Sequence, residues 1–188
     1  INDLFISRGV VDALDHSSPK FAVGGKLGLD CTGGEISDSG IKVLGDKELL
    51  TKMKDISSDI INLKQYYKYT KNPVTIITVN KTRSQKYLFE ELKPLYEHLR
   101  ILIIIDDAKN DVNNPYMLIW RVCNNIDSNR DIFIANDTLG VDATNKNSYD
   151  NFQRRWPDDV DCTKSVIDDL RNRGILDCSD ELISKFQI

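Results

Sequence analysis

Residues 9–32, G-V-V-D-A-L-D-H-S-S-P-K-F-A-V-G-G-K-L-G-L-D-C-T, gather side chains that can do chemistry. Asp12, Asp15 and His16 have the types used as acid, base or metal ligand. Gly24, Gly25 and Gly28 surround Lys26. Glycines let backbone N–H groups approach a phosphate, and a lysine can pair with its charge. A plainer reading stands beside this one: the glycines serve tight turns, the aspartates cap the chain, and His16 packs against a neighbour. The plainer reading is favoured, because neither G-x-G-x-x-G nor G-x-x-x-x-G-K-[ST] occurs. His16 and Ser17 are adjacent, which is not how a base meets its nucleophile.

A second acidic group, Asp106, Asp107 and Asp111, follows the most apolar run of the chain. Such a group can hold a divalent cation. Asn110, Asn113 and Asn114 share the loop, so turns and helix caps account for it as well, and that reading is favoured. Trp120 and Trp156 are assigned to core or interface. Tyr66, Tyr67 and Tyr69 are assigned to a face that another subunit or domain covers.

These residues need a scaffold, and the hydropathy pattern describes one. Leu4 to Ser7 predicts a short strand, and the stretch from Val11 to Ser17 has room for one helical turn capped by Asp12. Residues 35–45 are a surface connection. Asp46 is placed as the N-cap of a helix carrying Leu49, Leu50 and Met53, which Ser57 and Ser58 end. Residues 60–66 predict a strand, and V-T-I-I-T-V at 74–79 predicts another from its β-branched content. Residues 84–96 predict a helix that Pro94 kinks or stops. Ile101 to Ile105 do not alternate with polar residues, so both faces of that strand must be covered. Asn114 and Pro115 open the next helix, which runs to about Asn125. Residues 132–135 form a further strand. Residues 163–173 form a helix with Val166, Ile167 and Leu170 inward and Gly174 as its stop, and a short helix closes the chain. The fold class is α/β: a three-layer α/β/α sandwich with a largely parallel or mixed central sheet in one domain over 1–188. Residues 163–188 are read as a helical tail suited to oligomerisation. Ligands of such sheets sit beyond the carboxyl ends of the strands.

An internal similarity runs through this pattern. L-F-I-S followed by L-G-L-D-C-T (4–7 and 27–32) matches I-F-I-A followed by L-G-V-D-A-T (132–135 and 139–144). Both are read as a strand ending in a glycine-containing loop.

Composition narrows the function classes. The 188 residues carry a net charge of −4 with scattered Lys and Arg, so no basic patch marks a nucleic-acid partner. No apolar run has the length of a transmembrane segment, and no signal segment is seen. Cys31, Cys123, Cys162 and Cys178 form no C-x-x-C pair and are read as reduced thiols of a cytoplasmic protein. The chain opens on Ile1 rather than Met and is read as a piece of a longer polypeptide.

The motifs, taken in order, resemble one family. D-A-L-D-H…G-G-K-L-G-L-D-C-T (12–32) is similar to the D-x-L-D-H…G-x-K-x-G-x-D-A-T signature in the C-terminal domain of UbiD-type decarboxylases, the 3-polyprenyl-4-hydroxybenzoate carboxy-lyases and their menaquinone-pathway relatives. Residues 103–107 with Asp111, then 118–122, resemble its apolar strand, acidic turn and following helix. Asn125, Asp127, Arg130 and Asp131 fit N-x-D-P-x-R-D, and Gly140 to Lys146 followed by Arg155-Trp156-Pro157 fits G-x-D-A-T-x-K…R-x-W-P. The resemblance implies a non-oxidative carboxy-lyase (lyase) acting on aromatic or α,β-unsaturated acids, of ubiquinone or menaquinone biosynthesis type. It implies prenylated FMN with a divalent metal and potassium in the full-length enzyme, and a homo-oligomer. The family's catalytic Glu-Arg-Glu set lies on a preceding flavin-binding domain, so no catalytic residue and no metal ligand is assigned to this stretch, which is expected to be inactive alone. The expected partners are the N-terminal and flavin-binding domains of the same polypeptide. Gly9, Val10, Val11, Asp12, His16 and Lys26 are the expected cofactor-binding or pocket-lining residues. Two departures stand out. Ser128 or Asn129 replaces the family's proline, and the long D-x-L-D-H loop opens the chain instead of following the R-D strand. The other reading is a non-catalytic α/β assembly or interaction module with the same fold. A weaker third is a phosphate-binding enzyme using Lys26.

Overall fold

Five strands, residues 60–66, 74–79, 101–106, 138–142 and 132–135 in that spatial order, form one mixed sheet. The structure is a computed structural model that describes residues 4–30 and 40–187. The sheet strands are β3 (Ile60–Tyr66), β4 (Val74–Val79), β5 (Ile101–Asp106), β6 (Ile132–Ala135) and β7 (Thr138–Asp142). β4, β5 and β7 run parallel, while β3 and β6 are antiparallel edges. β5 is central, as its unalternating sequence requires, with Leu102 and Ile104 fully buried. Burying each such side chain stabilises the fold by roughly 1.5–3 kcal/mol.

Helices lie on both faces, giving three layers. On one face α1 (Asp46–Ile56), α2 (Gln85–Glu91) and a 3-10 turn over Lys93–His98 pack Leu49, Met53, Leu88, Phe89 and Leu95 onto Ile77 and Leu102. On the other face α3 (Pro115–Asn125) packs Leu118 and Val122 near Ile76, Ile103 and Ile105. Asn114 caps α3 by accepting a hydrogen bond from the Met117 N–H. Pro94 sits in the first turn of the 3-10 segment, so the predicted 84–96 helix ends at Glu91 and restarts tighter. Asp46 is the first residue of α1 and Gly45 its N-cap, one place earlier than predicted.

The glycine-containing loops of the sequence reading are strands. Thr138–Asp142 turns back on β6 through Asn136 and Asp137, both at positive φ, as a two-residue hairpin turn needs. Val23–Leu29 is β2, antiparallel to β1 (Leu4–Val10), and the pair forms a separate two-stranded sheet. Gly24, Gly25 and Gly28 are therefore extended and serve close packing, not unusual backbone angles. The segment 11–22 has turns but no helix, with Asp12 accepting from the Leu14 N–H and a second bond from Asp15 N to Asp12 O.

The remaining helices are α4 (Lys164–Asn172) and α5 (Asp180–Ser184). Ile167 is buried and Leu170 half-buried, whereas Val166 is exposed, so the inward face is narrower than predicted. Gly174 stops α4 at positive φ. Cys123 and Cys162 are exposed, Cys178 is half-buried, and all three are unpaired. Cys31, Gly33 and Gly34 lie outside the described residues. No helix among those described is long and apolar enough to cross a membrane.

Candidate functional site

The carboxyl ends of three parallel strands carry charge. Asp142 is the last residue of β7, Asp106 the last of β5, and Lys81 follows β4. Such ends are where α/β sheets place their sites. β6 runs the other way, so the site follows β7 and not the strand before it.

Lys146 is the hub. Its side chain has no exposed surface, and Nζ lies 3.0 Å from Asp142 Oδ1 and 3.4 Å from Asp131 Oδ1. It also donates to the Asp142 carbonyl at 2.7 Å. Asp131 receives the Arg130 fork, Nε to Oδ1 and Nη2 to Oδ2, each at 2.7 Å. The Asp127 N–H donates to Asp131 Oδ2 as well. Asp142 Oδ1 accepts from the Thr144 N–H and hydroxyl at 2.9 and 2.6 Å. Burial alone would raise the Asp142 pKa; Lys146, Lys81 and the Thr144 bonds outweigh it and hold the carboxyl below its ordinary value.

Lys81 forms a second buried pair. Its Nζ lies 2.5 Å from Asp150 Oδ2 and donates to Thr144 Oγ1 and the Asn145 carbonyl. Asp106 Oδ2 accepts from the Asn145 N–H at 2.7 Å, and burial raises its pKa. Asn125 donates to the Ala143 carbonyl and to Asn145 Oδ1, which ties α3 to the same loop. The loop after β7 is thus held by ionic and amide contacts, the ion pairs of Lys81 and Lys146 being buried. Beside it lies a cleft of about 230 Å3 between Ser84, Tyr87, Arg130, Tyr149 and Asn151. Arg130 Nη1 is buried there without a hydrogen-bond partner, and the guanidinium stacks on Phe152 at 5.3 Å.

The predicted loop residues divide. Asp15, Ser17 and Lys26 come together: Lys26 Nζ is 2.6 Å from Asp15 Oδ2, and Ser17 donates to Asp15 Oδ1 from both its N–H and its hydroxyl. Burial pushes the Asp15 pKa up, but Lys26 and Ser17 bring it below its ordinary value. Lys26 therefore spends its charge on Asp15. His16 stands apart with its ring edge-on to Trp156 at 5.0 Å, and burial lowers its pKa. Asp12 serves its own turn. Gly9, at φ +139°, and Val10 are exposed at the loop end of β1, while Val11 is buried and donates its N–H to the Ala22 carbonyl.

Gly24 and Gly25 lie against the turn after α3. The Gly25 N–H donates to Asp127 Oδ2 at 2.9 Å. A Cβ on Gly24 would collide with Asp127, and one on Gly25 with Ser128 and Asn129. The glycine pair and the N-x-D motif thus form one joint. The Ser17 hydroxyl, whose single hydrogen Asp15 and the Ile126 carbonyl share, and Arg154, which donates to the Ser18 carbonyl, reinforce it.

The acidic group after β5 is dispersed. Asp107 accepts from Thr78 Oγ1, and Asp111 caps Asn113. Among the described residues no three His, Cys, Asp or Glu side chains converge to hold a metal. Trp120 is half-exposed beneath the buried Arg121, which pairs with Asp159. Tyr67 and Tyr69 are exposed, while the Tyr66 hydroxyl donates inward to the Val112 carbonyl. Sequence reasoning missed Lys81, Asp150 and the burial of Lys146. The i,i+4 spacing of Asp142 and Lys146 was a usable signal; Lys81 and Asp150, far apart in the chain, gave none.

Comparison with known proteins gives the following. No family model matches the chain. It is 44% identical over 184 residues to proteins of Helicobacter pylori strains 26695 and J99, each described as an uncharacterized protein. The match takes in 97% of this chain and 30% of each relative, so the chain spans under a third of their length. Among solved structures, an evolved dimeric form of the UbiD-class enzyme HmfF from Pelotomaculum thermopropionicum in complex with prFMN is similar at TM-score 0.45 and 18% identity, over 58% of this chain and 26% of that one. Vanillic acid decarboxylase of Sedimentibacter hydroxybenzoicus, in closed form, is similar at TM-score 0.45 and 15% identity, over 66% of this chain and 31% of that one.

Proposed function

We propose that the chain is the C-terminal, pocket-closing and oligomerising domain of a UbiD-like non-oxidative decarboxylase of aromatic or α,β-unsaturated acids, of the quinone-biosynthesis type. The observation that carries the reading is the meeting of separate motif residues in space. Asn125, Asp127, Arg130 and Asp131 of one motif and Asp142, Thr144 and Lys146 of another are neighbours in one buried network. A decarboxylase domain that shapes a wall needs such a fixed loop, and the side chains in it have little capacity left for catalysis.

Prenylated FMN, a divalent metal and potassium belong, in this reading, to the rest of the polypeptide. Among the described residues the charged candidates already have partners. Lys26 is paired with Asp15, Asp131 and Asp142 are bound to Lys146 and Arg130, and Asp106, Asp107 and Asp111 serve separate partners. Gly9 and Val10, exposed at the joint, are the proposed pocket-facing residues, with Val11, Asp12 and His16 behind them. The helical tail, residues 163–188, is the proposed contact between copies.

The test is cofactor loading of the full-length polypeptide. Reconstituted with prenylated FMN, it should show saturable flavin absorbance and release CO2 from an aromatic acid. A full-length polypeptide that loads no prenylated FMN overturns the reading. The spent carboxylates also suit a non-catalytic assembly module. That reading gains if the flavin loads and no acid from a panel of aromatic and α,β-unsaturated acids is turned over. A phosphate role for Lys26 requires FMN or phosphate binding that Lys26→Ala weakens.

A further inference from the structure

We infer that the β1–β2 hairpin is the closing hairpin of a second α/β unit upstream in the same polypeptide, and that β2 enters that unit's sheet parallel to a strand equivalent to β5. The inference is independent of the decarboxylase reading.

It starts from register. Leu4 pairs with Leu29, Phe5 with Gly28 and Ile6 with Leu27. Ile132 pairs with Val141, Phe133 with Gly140 and Ile134 with Leu139. The repeat seen in sequence is thus the same hairpin in the same register, with a Phe opposite a Gly in both. A shift of one residue would have put opposite faces in correspondence.

The two copies differ in what covers them. β7 is buried along its whole length, with β5 on one side and Phe89 of α2 over Gly140, where a Cβ would come within 2.6 Å of the ring. Phe133 packs on Phe89 at 5.6 Å. Among the described residues of the first copy β2 pairs with β1, and Val23 bridges to Lys20 in the connecting segment. The Phe5 ring falls over Gly28, whereas the ring over Gly140 is that of Phe89, and Phe5 remains 65% exposed. An apolar hairpin with an open edge is a template for another strand. The sequence after β2 keeps the correspondence: Asp30 and Thr32 stand where Asp142 and Thr144 do, with Gly34 in place of Lys146.

The occupant follows from two facts. The H. pylori relatives extend well past this chain, which matches 30% of their length, so there is room for another unit. A second copy of this chain does not fit the role, because its β5 already has β4 on one side and β7 on the other. At its loop end the hairpin is fixed to the present unit through Gly25 and Asp127, Ser17 and Ile126, and Arg154 and Ser18. Shared in this way, it would lock two units at one orientation.

Hydrogen exchange on the full-length polypeptide tests this. The amides of 23–29 should exchange about 100-fold or more slower than those of the edge strand β6, and independently of protein concentration. Gly28→Val should abolish that protection while the β5 and β4 amides keep theirs. Exchange as fast as β6 overturns the inference, and so does protection that appears only as copies associate. A cofactor-free preparation serves equally, so failure here is separable from failure of the decarboxylase reading.

Discussion

Lys146 carries the largest single burden at the residue scale. Two carboxylates, Asp131 and Asp142, converge on one ammonium that has no access to water. Removing that ammonium leaves two buried acids facing each other, and breaking a buried pair costs about 3–5 kcal/mol. Lys146→Met should therefore lower the unfolding free energy measured in urea by that amount, and a loss under 1 kcal/mol would contradict the network. The pH dependence has a definite sign. Asp142 is held below its ordinary value, so its contribution is complete above the unfolded carboxylate range near pH ~4 and is lost as pH falls through the lower folded value. Acid unfolding should steepen below that range, and Asp142→Asn should flatten it. Asp106 behaves oppositely. Burial raises its pKa, so it costs stability at neutral pH, and the cost disappears on acidification. Asp106→Asn keeps an oxygen for the Asn145 N–H and should raise the neutral-pH midpoint, with the gain fading at low pH.

Elements hold these residues by close approach. Gly140 admits Phe89, and Gly24 and Gly25 admit the Asp127 turn. Gly140→Ala pushes a Cβ into a ring that already packs on Tyr96 and Phe133, an overpacking worth about 1–3 kcal/mol in a denaturation series. Gly24→Val should instead release the hairpin, seen as faster proteolysis within 11–22 with little change in the melting of the main sheet. The strands and helices were legible where burial dictates the pattern. V-T-I-I-T-V and Ile101 to Ile105 are strands because nothing polar interrupts them, and Asn114-Pro115 opens α3 as expected. Gly140 hid β7, because glycine weakens a strand signal unless one knows what approaches it. The Asn136-Asp137 pair, both at positive φ, is the local cue to the hairpin. The joint between Gly25 and Asp127 spans most of the chain, and no local pattern reports it.

At the scale of the whole molecule, the sheet presents its charged ends on one side and anchors the hairpin there. The buried charges there are paired with one another, which suits the proposed positioning and enclosing role. In the proposed function, catalysis needs both the flavin-bearing part and this domain seated against it. Isotope exchange tests that most directly: the full-length polypeptide, loaded with prenylated FMN, is incubated with an aromatic acid and 13C-bicarbonate, alongside its Gly24→Val variant. Label is expected in the carboxyl group with the wild type, and at least tenfold less with the variant at unchanged flavin content. Flavin-loaded wild-type protein that exchanges no label into any acid offered, or a variant that exchanges as fast as the wild type, would contradict it.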